Sequence, residues 1–199
     1  KPLFLTSFLN YFFLKDEKFF DCDQIILTSA SSKTALSLAF LLSKYKSKDK
    51  KKIIAITSEK NMQFVSEIKF FDTVLSYNNA EENLKRSKSV IVDFAGNSDY
   101  LKKLSDHLGE ELKHVSLIGL ADWSSKTNFK SIPNSKFFFA PNHAEKRYRE
   151  MGVKRTTLLA EDLLKEFIMK IKNYIKLQYC NDPKEVHELY LKSLKGKID

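Results

Sequence analysis

Glycine is scarce in this chain, five residues in 199, and none falls in the turn where a nucleotide-binding fold would first use it. Cysteine is scarcer: Cys22 and Cys180 are far apart, which excludes a disulfide framework and a cysteine metal pair and points to a reduced, cytoplasmic compartment. The four histidines, His107, His114, His143 and His187, are scattered without the spacing of a metal site, so no metal is expected. No apolar run approaches the roughly 18 residues that a membrane span needs. The opening KPLFLTSFLNYFFL has the look of a signal peptide but lacks a small-residue cleavage site and is broken by Asn10 and Lys15. Because it starts at Lys1, without Met, the chain is expected to be cut from a longer one.

What is abundant is positive charge, +9 in all, densest at Lys44, Lys46, Lys48, Lys50, Lys51 and Lys52. A basic cluster admits a nucleic-acid reading. Only Tyr45 interleaves it with a ring able to stack on a base. Cations at a helix end facing water account for the same letters, and that reading is preferred over nucleic acid.

Apolar strands alternate with amphipathic helices along residues 24–140. Gln24–Thr28, Lys52–Thr57, Thr73–Leu75, Ser89–Asp93, His114–Leu120 and Lys136–Ala140 read as strands. Helices are expected over Lys33–Lys44, Lys60–Ile68 and Ser98–Leu108. Strands apolar on both faces and separated by helices predict an α/β, doubly wound parallel sheet of about six strands. Further on, Leu163, Leu164, Phe167, Ile168, Ile171 and Ile175 make one apolar stripe on a long helix. Asp182-Pro183-Lys184-Glu185 reads as an N-cap, a first-turn proline and a capping-box acid. The expected organisation is a helical lead-in over 1–23, a nucleotide-binding domain over 24–153 and C-terminal helices over 154–199. The stretch Ala121–Ser135 is the longest irregular one and is expected to cover a ligand.

In such a sheet, ligands sit at the carboxyl ends of the strands. After the first strand come Ser29, Ala30, Ser31, Ser32, Lys33 and Thr34, a turn of small residues entering a helix. Helix N-termini present unpaired N–H groups and the positive end of the dipole, which suits phosphate. Ser29, Ser32 and Ala35 stand where related loops carry glycine; all are small, but a positive φ costs more without glycine. The hydroxyls of Ser31, Ser32 and Thr34 can supply hydrogen bonds in compensation. An ordinary strand-to-helix turn with serine as N-cap explains the same residues.

After the second strand stand Thr57 and Ser58, followed by Glu59 and Lys60, where NAD sites place a carboxylate at the strand end itself. A hydroxyl and a lysine suit the 2′-phosphate of NADP. Asp93 at the end of the fourth strand is the most suggestive carboxylate, and capping the next turn would explain it. Ala95 and Asn97 follow it on the ligand side. SSKT at Ser31–Thr34 and IVD at Ile91–Asp93 also echo a P-loop NTPase, but the glycines of that loop would fall at Leu27 and Ser32.

With these positions set out, the chain resembles the cofactor-binding half of zinc-free medium-chain dehydrogenase/reductases, the quinone-oxidoreductase-like branch. PLFLTSF at Pro2–Phe8, ILTSASSKTALSLA, VIVDFAGN and FFFAP carry the resemblance, which is strongest to an uncharacterised bacterial-type family within that superfamily. It implies a Rossmann-like domain binding NADP(H), with Ser58, Lys60 and Tyr77 (in VLSYNNAEE) matching the places that hold the 2′-phosphate. It implies an oxidoreductase passing hydride to a carbonyl, enone or quinone-like small-molecule acceptor, with the catalytic domain outside this chain and no catalytic residue identified within it. It also implies a homodimer through the last strand, Lys136–Ala140. The glycine-free loop keeps a second reading open, a non-catalytic Rossmann-like module that has lost its cofactor.

Overall fold

The computed structural model describes residues 1–49, 51–119, 132–175 and 179–194. The stretch expected to cover a ligand falls largely outside them. Six strands form one all-parallel sheet in the order β3-β2-β1-β4-β5-β6. They are β1 (Gln24–Leu27), β2 (Lys52–Thr57), β3 (Thr73–Ser76), β4 (Ser89–Asp93), β5 (Leu112–Leu117) and β6 (Ser135–Phe137). The order reverses beside β1, so the tips of β1 and β4 form the switch point where doubly wound sheets take ligands.

Both faces of the sheet are covered, which is why the strands carry apolar runs with little alternation. Ile25, Leu27, Val90 and Val92 face one way, into a core with α1 (Pro2–Asp16), α2 (Lys33–Asp49) and α7 (Val153–Ile171). Ile26 and Ile91 face the other way, onto Leu101, Leu104 and Leu108 of α5 (Ser98–Leu108). The short helices α3 (Met62–Glu67) and α4 (Ala80–Asn83) follow β2 and β3. The helix expected over Lys60–Ile68 divides in two: a 3₁₀ turn over Glu59–Asn61 precedes α3.

The last strand is shorter than expected, because Pro141 at the start of α6 (Ala140–Met151) turns the chain into a helix with Phe139 as its N-cap. α6 is tied back to α1 through Arg147, which is buried, donates to Asp16 at 2.6 Å and lies over the Phe12 ring at 4.5 Å. The final helix α8 (Pro183–Leu194) starts as its letters predict: Asp182 accepts from the Glu185 N–H at 2.9 Å, and Glu185 reaches back to the Asn181 N–H at 2.7 Å.

One connection has no counterpart in the sequence pattern. Lys18, Phe19, Phe20 and Asp21, between α1 and β1, all hold φ between 50° and 54°, a left-handed turn without glycine. No helix among the described residues is long and apolar enough to cross a membrane.

Candidate functional site

The tips of β1 and β4 are bound together through two side chains. The Thr28 hydroxyl donates to Asp93 Oδ1 at 2.5 Å and accepts from the Phe94 N–H at 3.0 Å. Asp93 also accepts from the N–H groups of Ala95 and Gly96, at 3.3 and 3.0 Å. Burial holds the Asp93 carboxyl above the usual carboxylate range, against the opposing pull of these donors. Asp93 therefore closes the turn after β4. A side chain at Gly119 would collide with the Phe94 carbonyl, so the β5 tip runs close against that turn.

The turn between β1 and α2 is built from its hydroxyls. Of the three places where related loops carry glycine, only Ser29 needs a left-handed backbone, with φ 47°. Ser32 caps α2, accepting from the Ala35 N–H at 3.2 Å, and Ala35 is fully buried in the helix–sheet contact. Ala30 is buried with its N–H on the Ile56 carbonyl at 3.1 Å.

The β2 and β3 tips close on this turn. The Ser31 hydroxyl accepts from Asn61 Nδ2 at 2.9 Å and lies 3.4 Å from the Thr57 hydroxyl. The Tyr77 hydroxyl accepts from the Ser29 N–H at 2.8 Å, and its ring meets Tyr100 edge-on, centroids 4.9 Å apart. A hydroxyl has one proton and two lone pairs. Tyr77 spends one of its two lone pairs on the Ser29 N–H and so keeps its proton to donate, while Ser31 and Thr57 face each other as two hydroxyls, either of which can donate. The N–H groups of Ser31, Lys33 and Thr34 at the start of α2 have no partner among the described residues. The Ser58 and Tyr100 hydroxyl oxygens are buried without a hydrogen-bond partner among them.

The remaining expected site residues divide. Lys60 lies exposed on the 3₁₀ turn after β2, on the same rim as Ser58. Beside it Glu59 accepts from Asn78 Nδ2 at 2.9 Å, bridging the β2 and β3 loops. The Thr34 carbonyl accepts from the Ser7 hydroxyl at 2.7 Å. Asn97 caps α5, accepting from the Tyr100 N–H at 3.0 Å, and the Ala95 N–H is taken up by Thr28 and Asp93. Lys33 turns toward a groove between α1 and α7. Tyr100 joins the site without a signal in the sequence, since it lies in a run that reads as ordinary helix, whereas Asn61 ends the Thr57–Asn61 stretch that follows the second strand on the ligand side. His143, in the first turn of α6, is half-buried, its ring stacked on Phe138 at 4.3 Å.

The family model described as "Protein of unknown function (DUF2855)" matches residues 1–199, and the chain belongs to that family. No curated protein sequence matches it. Among solved structures, the yhdH oxidoreductase from Salmonella enterica, in complex with NADP, superposes with a TM-score of 0.64 at 14% identity, over 98% of this chain and 58% of that one. A mutant form of enoyl thioester reductase from Candida tropicalis superposes with a TM-score of 0.50 at 11% identity, over 87% of this chain and 51% of that one. At these identities the likeness is one of fold, and the chain spans little more than half the length of either protein.

Proposed function

We propose that this member of the DUF2855 family is the NADP(H)-binding part of an oxidoreductase of the medium-chain dehydrogenase/reductase type, one that passes hydride to a carbonyl, enone or quinone-like acceptor. The observation that carries the reading is the set of donors at the first turn. Tyr77 keeps its hydroxyl proton, the Ser31 hydroxyl stands in the same turn, and three backbone N–H groups at the start of α2 lack partners among the described residues. Donors without acceptors at a helix N-terminus suit a pyrophosphate, and the fold is shared with a protein solved in complex with NADP. The nicotinamide supplies the hydride chemistry, while this chain's residues bind and orient the cofactor. The acceptor pocket belongs to sequence outside the shared fold.

The preference is for NADP over NAD. Ser58 and Lys60 follow β2, and Tyr77 follows β3, around the place where a ribose 2′-phosphate would lie. Glu59 is the opposing group, held by Asn78 on the same rim.

Quenching and enhancement of NADPH fluorescence on titration with the purified chain tests the reading directly. Binding is expected, and Ser31→Ala should weaken it about tenfold, the loss of one hydrogen bond to a charged group. Lys60→Ala should weaken NADPH and leave NADH nearly unchanged, whereas Glu59→Gln should favour NADPH further. Equal losses for both cofactors in Lys60→Ala would remove the NADP assignment.

One observation favours the non-catalytic module instead. The Tyr77 hydroxyl already occupies the first N–H of the turn, as a side chain that had replaced a lost phosphate would. No NADPH binding at millimolar concentration, in wild type and in Tyr77→Phe alike, would decide for the module.

A further inference from the structure

Away from the nucleotide site, a second concavity lies between α1 and α7. Its floor is Phe4, Phe167 and Ile171, all buried, with the Phe4 and Phe167 ring centroids 5.6 Å apart. Its walls are Leu164 and Ile175, with Leu3 and Ile168 left about half exposed at the rim. The space is about 430 Å³, within the roughly 300–1,000 Å³ of small-molecule sites. A smaller lobe of about 170 Å³ adjoins it, sharing Lys1, Phe4 and Leu164 and continuing along α7 to Thr156.

The charge around this apolar space has one sign. Lys1, Lys33 and Lys172 line the larger lobe and no acid does. Lys1 is answered by Glu161, at 2.5 Å, where the two lobes meet. Lys33, the first residue of α2, and Lys172, at the end of α7, have no ion pair among the described residues. An apolar trough with uncompensated ammonium groups at its border is complementary to one kind of molecule, a flexible aliphatic chain with an anionic head. The chain would replace water over Leu3, Ile168 and Ile175, and the head would meet Lys33 and Lys172 without entering the apolar floor.

We infer that the α1–α7 groove binds a monomeric long-chain carboxylate, its tail along α7 and its head on Lys33 and Lys172. The site is separate from the nucleotide turn, although Lys33 stands at the start of the helix whose N–H groups face that turn. Occupancy therefore places an anion on a lysine that would otherwise add to the positive field at the cofactor's phosphates.

The test is displacement of a fluorescent fatty acid, dansyl-undecanoate, by oleate on the purified chain. One site per chain is expected. Lys33→Ala/Lys172→Ala should weaken oleate about tenfold, and Ile168→Asp, at an already half-exposed position, should abolish binding while leaving the thermal midpoint and NADPH titration unchanged. Oleyl alcohol, with the same tail and no charge, should displace the dye at least tenfold less well than oleate. Equal displacement by the alcohol, or unchanged binding in Ile168→Asp, would overturn the proposal. So would sedimentation with anionic phosphatidylglycerol vesicles in place of oleate binding, which would make the groove a membrane contact. A dimer that Ile168→Asp converts to monomer, with no oleate bound, would make it an interface between copies. Loss of NADPH binding with oleate binding intact would sink the cofactor reading and leave this one standing.

Discussion

At Ser29 a serine holds the left-handed conformation that glycine usually supplies, with φ 47°. That backbone costs a non-glycine residue roughly 1 kcal/mol, and the Ser29 N–H bond to Tyr77 helps to hold it. Ser29→Gly is therefore expected to stabilise the chain by up to about 1 kcal/mol, read as a higher urea midpoint with unchanged slope. An unchanged or lower midpoint would mean the serine side chain has a role the geometry does not reveal. The sequence pointed to this turn through its small residues. It could not tell that of Ser29, Ser32 and Ala35 only the first adopts a positive φ, because that depends on how β1 meets α2.

His114 makes a second residue-scale prediction. It is buried, stacked face to face on Phe20 at 4.2 Å, with Phe13 at 5.5 Å and the Ser116 hydroxyl at 3.1 Å from its ring nitrogen. Burial, aided by Lys136, lowers its pKa from 6.5 to about 4. The unfolded chain therefore takes up a proton on falling from about pH 6.5 while the folded chain does not. The stability that rests on neutral His114 is present above that pH and is lost as pH falls toward 4, roughly 3 kcal/mol in all. Urea unfolding at pH 7.5 and 4.5 measures it, and His114→Gln should flatten the difference. If the variant keeps the full slope, the acid sensitivity resides elsewhere.

At the scale of elements, the strands and the capping of α8 follow from local pattern, and Ser89–Asp93 and Ser98–Leu108 fall where the letters put them. The left-handed turn at Lys18–Asp21 does not, since nothing local favours four such residues in a row. Its conformation, unfavourable by about 1–2 kcal/mol per residue, is held by distant partners. Phe19 is buried 6.3 Å from Tyr11, Phe20 lies on His114, and Asp21 meets Lys88 at 2.7 Å at the surface. Phe20→Ala removes the stack from a half-buried ring and is expected to cost about 2 kcal/mol. Hydrogen exchange at residues 18–22 should rise with it. A stability loss without faster exchange there would show that the ring supports β5 and not the turn. The same dependence on distant partners hid the Thr28–Asp93 pairing. Asp93 is suggestive in sequence, but the strand that supplies its partner lies 65 residues away.

At the scale of the molecule, the strand order was legible as a class, because helices between strands demand parallel pairing with crossovers. The exposed edge was legible only in part. Three consecutive phenylalanines suggest either a buried strand or an association surface, and the structure divides them: Phe138 enters the core, while Phe137 and Phe139 are each about half exposed, rings 6.4 Å apart. Among the described residues β6 pairs with β5 alone and ends the sheet, which leaves its outer N–H and C=O groups without a partner there, beside two apolar rings. An edge of that kind invites pairing with another strand. A second copy, related by a twofold axis, can place its own β6 antiparallel to this one and cover both rings at once. Sedimentation velocity at high micromolar concentration is expected to show a dimer, and Phe137→Lys to return it to monomer. Ile168→Asp, in the groove between α1 and α7, should leave the dimer intact, because that groove is lined by α1, α2 and α7 rather than β6. A chain that stays monomeric at the highest concentration reached would exclude edge pairing and leave the two rings as exposed surface.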